Sequence, residues 1–393
     1  MNNKRKFLIV TGSRAEFGLM RNLIKKFSKD DDIDLKLVVT GSHLSPMYGE
    51  TVNEIVQEGF EIHSKINLNL SNDSALDIAV ATSIGIKSFS KLIYQLNPDL
   101  IIILGDRYEI LSVVLPACFL NVPIAHIHGG EKTEGSIDES IRHAITKFSH
   151  LHFVANEEYR NRVVQLGENP KRVFNVGGLG IDAIHKLNYL SKSELTERLG
   201  IKLRKKNLLV TYHPETLDNK LSKKGIKELL KSLNKLKETS LIFTLPNADP
   251  NNSYIAKRIS NFVKRNPNAY LFNSLGQLNY FSLIKFCDGV IGNSSSGLLE
   301  VPSFKKATIN IGNRQKGRLK AKSVINCESI EENITKSINE IYSKRFQKIL
   351  KNVKNPYGEK GASEKIKRII KKNDLKNLIK KSFYDLKKID DKF

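Results

Sequence analysis

The stretch Leu100-Ile101-Ile102-Ile103-Leu104-Gly105-Asp106-Arg107 decides the fold class of this chain. Five consecutive apolar residues are typical of a strand that is buried on both faces of a parallel sheet. A glycine and charged side chains follow at once. Ligands of doubly wound sheets bind beyond the carboxyl ends of the strands. The stretch therefore predicts an interior parallel strand and, directly after it, part of a functional edge.

Short apolar runs followed by helical segments extend along most of the chain on both sides of this stretch. Strands that alternate with helices favour a parallel sheet with helices on both faces. A polar, Lys-rich span at 185–206 interrupts the alternation, and we interpret it as a linker region. The predicted strands are 7–11, 35–39, 100–104, 123–127, 152–154 and 172–176 before this span, and 208–211, 241–244, 269–272, 289–291 and 307–310 after it.

The predicted fold class is α/β, with two doubly wound Rossmann-like domains that face each other across a cleft. Two domains are expected because 393 residues exceed one ordinary hydrophobic core. We predict an N-terminal domain at 1–185, a C-terminal domain at 186–365 and a basic helical tail at 366–393.

The composition is that of a soluble globular protein, with 40% hydrophobic and 27% charged residues. No apolar run approaches the roughly 20 residues that span a bilayer, and the basic start leads into a strand rather than a signal peptide. We therefore expect a cytoplasmic protein without a membrane partner. Its three cysteines are widely spaced beside apolar runs, which indicates buried side chains rather than disulfides or zinc ligands.

A net charge of +23 raises the question of nucleic-acid binding. About half of this excess lies in residues 344–393, which carry 17 basic and 6 acidic side chains. Most of these basic residues are lysines, and no aromatic-interleaved RNA motif accompanies them. We interpret the excess as solvated helix faces and expect no nucleic-acid partner.

The loop 292–297 is rich in small hydroxyl residues and follows the apolar run 289–291. Small side chains let backbone N–H groups approach an anion, and the helical segment that follows adds a favourable dipole. Glu300 lies just inside that segment, where a carboxylate would repel phosphate but could hold the hydroxyls of a ribose. The loop therefore predicts a site for a nucleoside diphosphate.

Functional-looking side chains also follow most of the other predicted strands. There is no GxGxxG after the first strand and no GxxxxGK[ST] loop, so we expect neither a nicotinamide or flavin cofactor nor a P-loop. The carboxylates, histidines and arginines indicate proton transfer on an anionic ligand without a metal. These strand ends are 11–16, 105–109, 126–134, 211–215 and 310–314.

Asp138 and Arg142 are four residues apart in a predicted helix and share one of its faces. A surface ion pair of this kind contributes only about 0.3–0.5 kcal/mol. Beside the Gly-Gly-Glu sequence at 129–131, however, the pair fits an acid–base carboxylate whose ionisation is held by a guanidinium. We place it in the predicted active site.

At these residues the chain resembles the hydrolysing UDP-N-acetylglucosamine 2-epimerases of sialic-acid synthesis. The resemblance covers about residues 6–320 and implies the two-domain fold called GT-B, with the nucleotide bound mainly by the C-terminal half. In that fold the last helix often packs back on the N-terminal domain. The motifs are TGSR at 11–14, GDRYE at 105–109, HIHGGE at 126–131, IDESIRHAITK at 137–147, TYHP at 211–214, GNSS at 292–295 and GNRQ at 312–315.

The resemblance also implies roles for individual residues. Those expected to hold UDP are Arg14, His213, Ser294, Ser295, Glu300 and Arg314, with Glu300 on the ribose. Those expected in the catalytic region are Asp106, His128, Glu131, Asp138 and Arg142, together with His213. In the family's reaction a base removes the C2 proton and UDP leaves by anti elimination. Hydration of 2-acetamidoglucal then releases N-acetylmannosamine.

The loop after the strand 123–127 departs from one related pattern. Non-hydrolysing relatives have a glutamate two residues after the histidine that corresponds to His126, whereas this chain has His128. Glu131 or Glu134 supplies that carboxylate from the same loop, or His128 itself transfers the proton. The general acid or base of this loop is therefore one of three residues.

Two alternatives to UDP-N-acetylglucosamine hydrolysis remain at this stage. The first is the same chemistry on a UDP-2,4-diacetamido-2,4,6-trideoxy sugar of the legionaminic-acid pathway. The second is a GT-B glycosyltransferase, which would keep the phosphate-binding residues without needing Asp106, Glu131 and Asp138. The resemblance further implies a homodimer.

Overall fold

The computed structural model describes residues 4–46, 49–69, 74–133, 137–214, 219–245 and 252–386. Two compact units make up the chain. The first comprises Met1–Ala183 and Tyr357–Phe393, and the second Ile184–Pro356. The corresponding boundaries predicted from the sequence were 185/186 and 365/366. Within the part of the chain that the structure describes, no helix combines the length and apolarity that a membrane span needs.

The first unit is built on a seven-stranded parallel sheet of order β3-β2-β1-β4-β5-β6-β7. Its strands are β1 (Arg5–Thr11), β2 (Ile33–Thr40), β3 (Ser64–Ile66), β4 (Leu100–Leu104), β5 (Ile124–Ile127), β6 (Leu151–Val154) and β7 (Val173–Asn175). Its helices are α1 (Arg14–Ser28), α2 (Val52–Gln57), α3 (Ala75–Leu96), α4 (Tyr108–Phe119), α5 (Ile137–Phe148), α6 (Glu157–Gln165), α7 (Leu179–Lys186), which runs past Ala183, and, after the second unit, α15 (Ala362–Lys372).

The second unit is built on a six-stranded parallel sheet of order β10-β9-β8-β11-β12-β13. Its strands are β8 (Lys206–Thr211), β9 (Thr239–Thr244), β10 (Ala269–Phe272), β11 (Gly289–Gly292), β12 (Ala307–Ile311) and β13 (Val324–Cys327). Its helices are α8 (Lys192–Leu199), α9 (Asn219–Asn234), α10 (Asn252–Arg265), α11 (Gly276–Phe286), α12 (Ser296–Leu299), α13 (Glu331–Ile341) and α14 (Lys344–Lys351). The span interpreted as a linker contains α8, which Ser191 and Glu194 start with a capping box.

Both faces of the first sheet are covered, as continuous apolar strands predict. Along β1, Phe7 and Ile9 pack into one core cluster, whereas Leu8 and Val10 pack into another on the opposite face. Helix α1 lies on the first of these faces, and α3 and α4 lie on the second. The predicted α/β class with two doubly wound parallel sheets is confirmed.

Helix α15 returns the chain to the first unit and completes its core. Ile366 and Ile370 are fully buried in the same cluster as the apolar face of α1. The helix begins at the carboxylate of Asp182, which accepts hydrogen bonds from the backbone N–H groups of residues 361–363. A carboxylate at a helix N-terminus satisfies these groups and favours the helix dipole.

Residues beyond α15 continue across the first unit as an extended segment, 373–386, which we call the strap. Lys381 of the strap donates to the carbonyl oxygens of Lys147 and Ser149 at the end of α5. Its ammonium also lies 3.0 Å from both carboxylate oxygens of Glu168. A cation at this position caps the α5 C-terminus and opposes its negative dipole end.

We expect Lys381→Met to destabilise the first unit by about 1–3 kcal/mol, because it leaves polar groups at the end of α5 without their donor. Urea unfolding measures the change. Lys380→Met, one residue earlier on the strap, serves as the matched control. Equal stability of the two variants would contradict a capping role for Lys381.

Candidate functional site

The carboxyl edge of the first sheet, where its parallel strands end, is organised around the buried guanidinium of Arg142. This side chain from α5 is only 2% exposed. It donates to Asp106 after β4, at 2.9 Å from Nε, and to the carbonyl of Glu131 after β5, at 2.8 Å from Nη1. Nη1 also lies 3.1 Å from Glu139, and Nη2 donates to Asp106 and Thr133. One arginine thus joins two strand ends and a helix.

The charged groups of this cluster stabilise one another in their ionised forms. Burial by itself would lower the pKa of Arg142, but Asp106 and the other carboxylates outweigh it and raise that pKa. Burial likewise opposes the ionisation of Glu139, yet the Thr133 N–H and Arg142 lower the pKa of its carboxyl. A guanidinium that serves several acceptors holds them in fixed geometry. Asp106 is consequently presented as an oriented carboxylate that is one-quarter exposed.

His128 and Glu131 form a closely spaced pair on the loop after β5. Nδ1 of His128 lies 3.2 Å from Oε1 of Glu131, and Nε2 accepts from the backbone N–H of Leu179 at 3.4 Å. These partners assign the ring proton to Nδ1. His128 has a positive φ of 67°, which is uncommon for a residue other than glycine. The pair therefore sits on a locally constrained backbone.

His126 is buried in β5, at the base of this loop, and it supports the loop rather than facing a ligand. Its fully buried ring donates from Nε2 to the carbonyl of Gly105 at 2.8 Å and accepts at Nδ1 from the Thr146 hydroxyl at 3.2 Å. Burial lowers the pKa of His126 to about 3, so the ring is neutral at physiological pH. The neutral ring connects β4, β5 and α5 at the same edge.

Glu16 and Glu109 also lie at this edge, and the sequence did not single them out as site residues. Glu109 is completely buried, and its Oε1 accepts from Nε of Arg107 at 2.7 Å. Glu16 is 5% exposed and accepts from the backbone N–H of Gly12 at 2.7 Å. The only sequence signal for them was their place in the stretches 11–16 and 105–109 that follow two strands. Burial raises the pKa of Glu109, and the charge of Asp138 raises it further.

Asn293 organises the corresponding edge of the second sheet. Its side chain and the backbone of His213 exchange two hydrogen bonds, of 2.7 and 2.9 Å, between the loops after β11 and β8. Its own carbonyl accepts from Arg314 at 3.2 Å and from Gln315 at 3.0 Å. Burial, and then Arg314, lower the pKa of His213 to about 3. His213 is therefore a neutral ring beside a cation.

The hydroxyl-rich loop after β11 begins with a close approach of two strands. Gly292 has a φ of 137°, and a Cβ there would lie 1.9 Å from the carbonyl oxygen of Thr211. Only glycine fits this position. Ser294 and Ser295 are half-buried on the loop, and Ser296 accepts from the hydroxyl of Tyr280 at 2.8 Å.

The helix that follows this loop is α12, a single turn of four residues. Its dipole is correspondingly small, so backbone N–H groups rather than a long helix would have to hold an anion. Glu300 directly follows α12, and its negative charge, after burial, raises the pKa of Tyr280. A 3-10 turn from Val301 to Phe304 then ends the helical segment.

The structure therefore distributes the predicted site residues over the carboxyl edges of the two sheets. In the first unit these are Arg14, Asp106, His128, Glu131, Asp138 and Arg142, with Arg14 in an ion pair with Glu54 at 3.1 Å. In the second unit they are His213, Ser294, Ser295, Glu300 and Arg314. Glu134 lies outside the described residues. A search of the described residues for three or more His, Cys, Asp or Glu side chains that could hold a metal ion finds none.

Comparisons with known proteins agree with one another. The sequence profile of the UDP-N-acetylglucosamine 2-epimerase family matches residues 25–371. The chain is 45% identical to the GDP/UDP-N,N'-diacetylbacillosamine 2-epimerase (hydrolyzing) of Campylobacter jejuni, over 98% of this chain and 100% of that protein. It is 41% identical to the polysialic acid biosynthesis protein P7 of Escherichia coli, over 97% of this chain and 98% of that protein.

A solved structure shows the same fold. The UDP-GlcNAc 2-epimerase of Neisseria meningitidis bound to UDP-GlcNAc superposes with a TM-score of 0.82 at 22% identity, covering 94% of this chain and 100% of that one.

The neutral state of buried His126 predicts a loss of stability in acid. Its pKa lies near 6.5 when unfolded and about 3 when folded, so the unfolded chain binds the extra proton first. Its contribution is present above pH 6.5 and is lost by roughly 1.4 kcal/mol per pH unit below it. We expect His126→Gln to reduce the slope of unfolding free energy against pH between 6 and 4.5. His63→Gln, at an exposed position, is the control, and an unchanged slope in His126→Gln would refute the assignment.

Proposed function

The chain belongs to the UDP-N-acetylglucosamine 2-epimerase family, an enzyme family that acts on UDP-sugars, and from this premise we propose its reaction. We propose that it is a hydrolysing 2-epimerase that converts UDP-N-acetylglucosamine and water into N-acetylmannosamine and UDP. The observation that carries the proposal is the Arg142 cluster, which holds Asp106 and the Glu131 loop together at the carboxyl edge. A metal-independent elimination needs oriented carboxylates of this kind.

In the first half of the proposed reaction, a base removes the C2 proton of the sugar while the C1–O bond breaks. UDP leaves with the bonding electrons, and 2-acetamidoglucal remains. In the second half, water adds its hydroxyl to C1, and an acid returns a proton to C2 from the opposite face. We assign these proton transfers to Asp106, Asp138 and the His128–Glu131 pair.

The short distance between His128 and Glu131 bears on which loop residue moves the proton. Because Nδ1 of His128 lies 3.2 Å from Oε1 of Glu131, a proton taken by one member can pass to the other. We therefore propose that the two act as one acid–base pair rather than as alternatives. Arg142 holds the pair's loop through the carbonyl of Glu131.

The leaving group, UDP, is proposed to bind to cations and small polar groups. We propose that the diphosphate is held by Arg14, Arg314 and the loop residues Ser294 and Ser295, and that Glu300 holds the ribose hydroxyls. His213, a neutral ring beside Arg314, would donate to or accept from the ligand without adding charge.

A second substrate with the same chemistry is favoured by a specific observation. The Campylobacter jejuni relative, at 45% identity, is named for N,N'-diacetylbacillosamine, whereas the Escherichia coli relative, at 41%, is named for polysialic acid biosynthesis. UDP-N,N'-diacetylbacillosamine is therefore the second candidate. Both sugars carry the 2-acetamido group and the C2 proton that the reaction uses. The family match gives no support to the glycosyltransferase alternative.

The test is to incubate the protein with each UDP-sugar in deuterated water and to follow the products by NMR. Release of UDP together with deuterium at C2 of a manno-configured product supports the proposal, and the faster substrate identifies the sugar. Transfer of the sugar to an added acceptor without exchange at C2 would overturn it.

We also propose that the chain forms a homodimer, because the family resemblance implies one, and that it acts in the cytoplasm, as its composition led us to expect. Light scattering of the purified chain tests the first, and a monomer at micromolar concentration would refute it. Cell fractionation tests the second, and recovery outside the cytosol would refute it.

The two proposed subsites predict different kinetic defects. Asp138→Asn should lower kcat by about 10²- to 10⁴-fold, the usual contribution of a general acid or base, with UDP binding nearly intact. Arg314→Ala should weaken UDP binding by about 10- to 100-fold, because it removes a charge-assisted hydrogen bond. Steady-state kinetics and calorimetric titration with UDP separate the effects.

The controls are two substitutions at exposed positions, Asp31→Asn and Lys316→Ala, which should match the unsubstituted protein. A purely KM effect of Asp138→Asn, or a purely kcat effect of Arg314→Ala, would contradict the assignment of roles.

A further inference from the structure

Two buried carboxyl groups at the carboxyl edge of the first sheet have no part in the reaction as assigned above. Glu109, in the first turn of α4, is fully buried, and Glu16, in the first turn of α1, is 5% exposed. Ionised carboxylates are rarely buried in this way without full compensation. Their surroundings therefore have to explain how both are tolerated.

Both carboxyl groups lie against Gly12, the residue that follows β1. The N–H of Gly12 donates to Oε2 of Glu16 at 2.7 Å. A Cβ at Gly12 would lie 2.5 Å from Cγ and 2.9 Å from Oε1 of Glu109. Both side chains thus pack against the turn that leads through Ser13 to Arg14.

Each carboxyl group has one oxygen with a partner and one without. Oε2 of Glu16 is held by Gly12, and Oε1 of Glu109 is held by Nε of Arg107 at 2.7 Å. Oε1 of Glu16 and Oε2 of Glu109 are buried and have no hydrogen-bond partner in the described part of the chain. Two buried, fully ionised carboxylates that each keep an unsatisfied oxygen would be costly, whereas a single proton on the pair removes one of the two charges.

The charges around the pair favour that proton. Burial, followed by the charge of Glu109, raises the pKa of Glu16 to about 8, and burial also raises the pKa of Glu109. Arg107 is the opposing cation, while Asp106 acts on Glu16 and Asp138 acts on Glu109 as further negative charges.

The nearest histidine does not supply a balancing charge. His43 lies in the turn that begins at Gly41, which also contacts Glu109. Its pKa is lowered to about 4 by burial, so the ring is neutral. Among the strongest charge interactions of the pair, Arg107 therefore opposes several carboxylates.

We propose that Glu16 and Glu109 hold one proton between them at neutral pH, and that this shared proton positions the Gly12–Arg14 turn and Arg107. Loss of the proton would place two negative charges against Gly12 and displace the turn. Glu16 and Glu109 are thus positioning residues that act through their neighbours. The effect on catalysis rests on the proposed function, because it passes through Arg14, whereas the proton itself does not.

The decisive variant is Glu16→Gln, which mimics the protonated carboxyl at every pH. Its amide oxygen can accept from the N–H of Gly12, as the carboxyl group does. Glu157→Gln is the matched control, since Glu157 is a 60% exposed glutamate of the same unit.

The proton is observed directly by NMR of the chain labelled with ¹³C at the glutamate carboxyl. We expect one resonance, absent from Glu16→Gln, to titrate near pH 8 rather than near pH 4.5. Titration of that resonance below pH 6 would overturn the proposal.

Unfolding equilibria give an independent measurement. A carboxyl whose folded pKa is raised favours folding less and less as pH rises, since the unfolded chain releases the proton first. Between pH 5 and 8 the unfolding constant of the unsubstituted protein should rise relative to that of Glu16→Gln, by up to tenfold per pH unit. Glu16→Gln should thus become the more stable protein as pH rises. A constant ratio across this range would overturn the shared proton.

Activity tests the positioning role. In the unsubstituted protein and in Glu157→Gln, kcat/KM should fall above pH 8, mainly through KM, and Glu16→Gln should lack this fall. The same alkaline fall in Glu16→Gln would refute positioning. Absence of any UDP-sugar turnover would refute the proposed function instead, while the NMR and unfolding measurements would still decide the proton.

Discussion

A buried guanidinium must find an acceptor for each of its N–H groups, and this constraint shapes the first unit. Arg142 meets it with Asp106 after β4, with the Glu131 carbonyl and Thr133 after β5, and with Glu139 on its own helix. Removing any one acceptor would leave a desolvated donor, which is costly. The requirement therefore fixes the relative positions of two strand ends and α5. It also explains why the loop after β5 can keep the unusual backbone of His128.

In the second unit, neutral groups hold the strand ends together. Asn293 connects β8 to β11 by two hydrogen bonds, and its carbonyl receives Arg314 and Gln315. The buried ring of His213 is neutral as well. The edge of the second sheet is therefore held mainly by amides, whereas an internal ion cluster holds the edge of the first sheet and orients its carboxylates.

Much of this arrangement was predictable from local sequence, and the remainder was not. Apolar runs located β4 and β10 to the residue. All five residues of β4 are buried, as a uniformly apolar interior strand predicts, whereas β10 is a half-buried edge strand. The short edge strands β3 and β13 were missed, since three or four residues with polar members carry little periodic signal.

The partners of Arg142 show the same limit at the site. The sequence paired Arg142 with Asp138, four residues away, but the structure shows a bond to Asp106 across 36 residues. Such a contact depends on strand order, which spacing along the chain does not encode. The Glu16–Glu109 pair was missed for the same reason, and the domain boundaries and residue roles remain predictions.

The return of α15 to the first unit imposes an order on the folding of the protein during its synthesis. Ile366 and Ile370 are translated only after all of the second unit, yet they complete the core beside α1. At typical ribosomal rates, about 5–20 residues per second, the nascent first unit waits roughly 10–35 s for its last helix. The second unit is continuous and can fold meanwhile. Protease digestion of ribosome-stalled chains that end at residue 356 would reveal this sequence, with the second unit protected before the first.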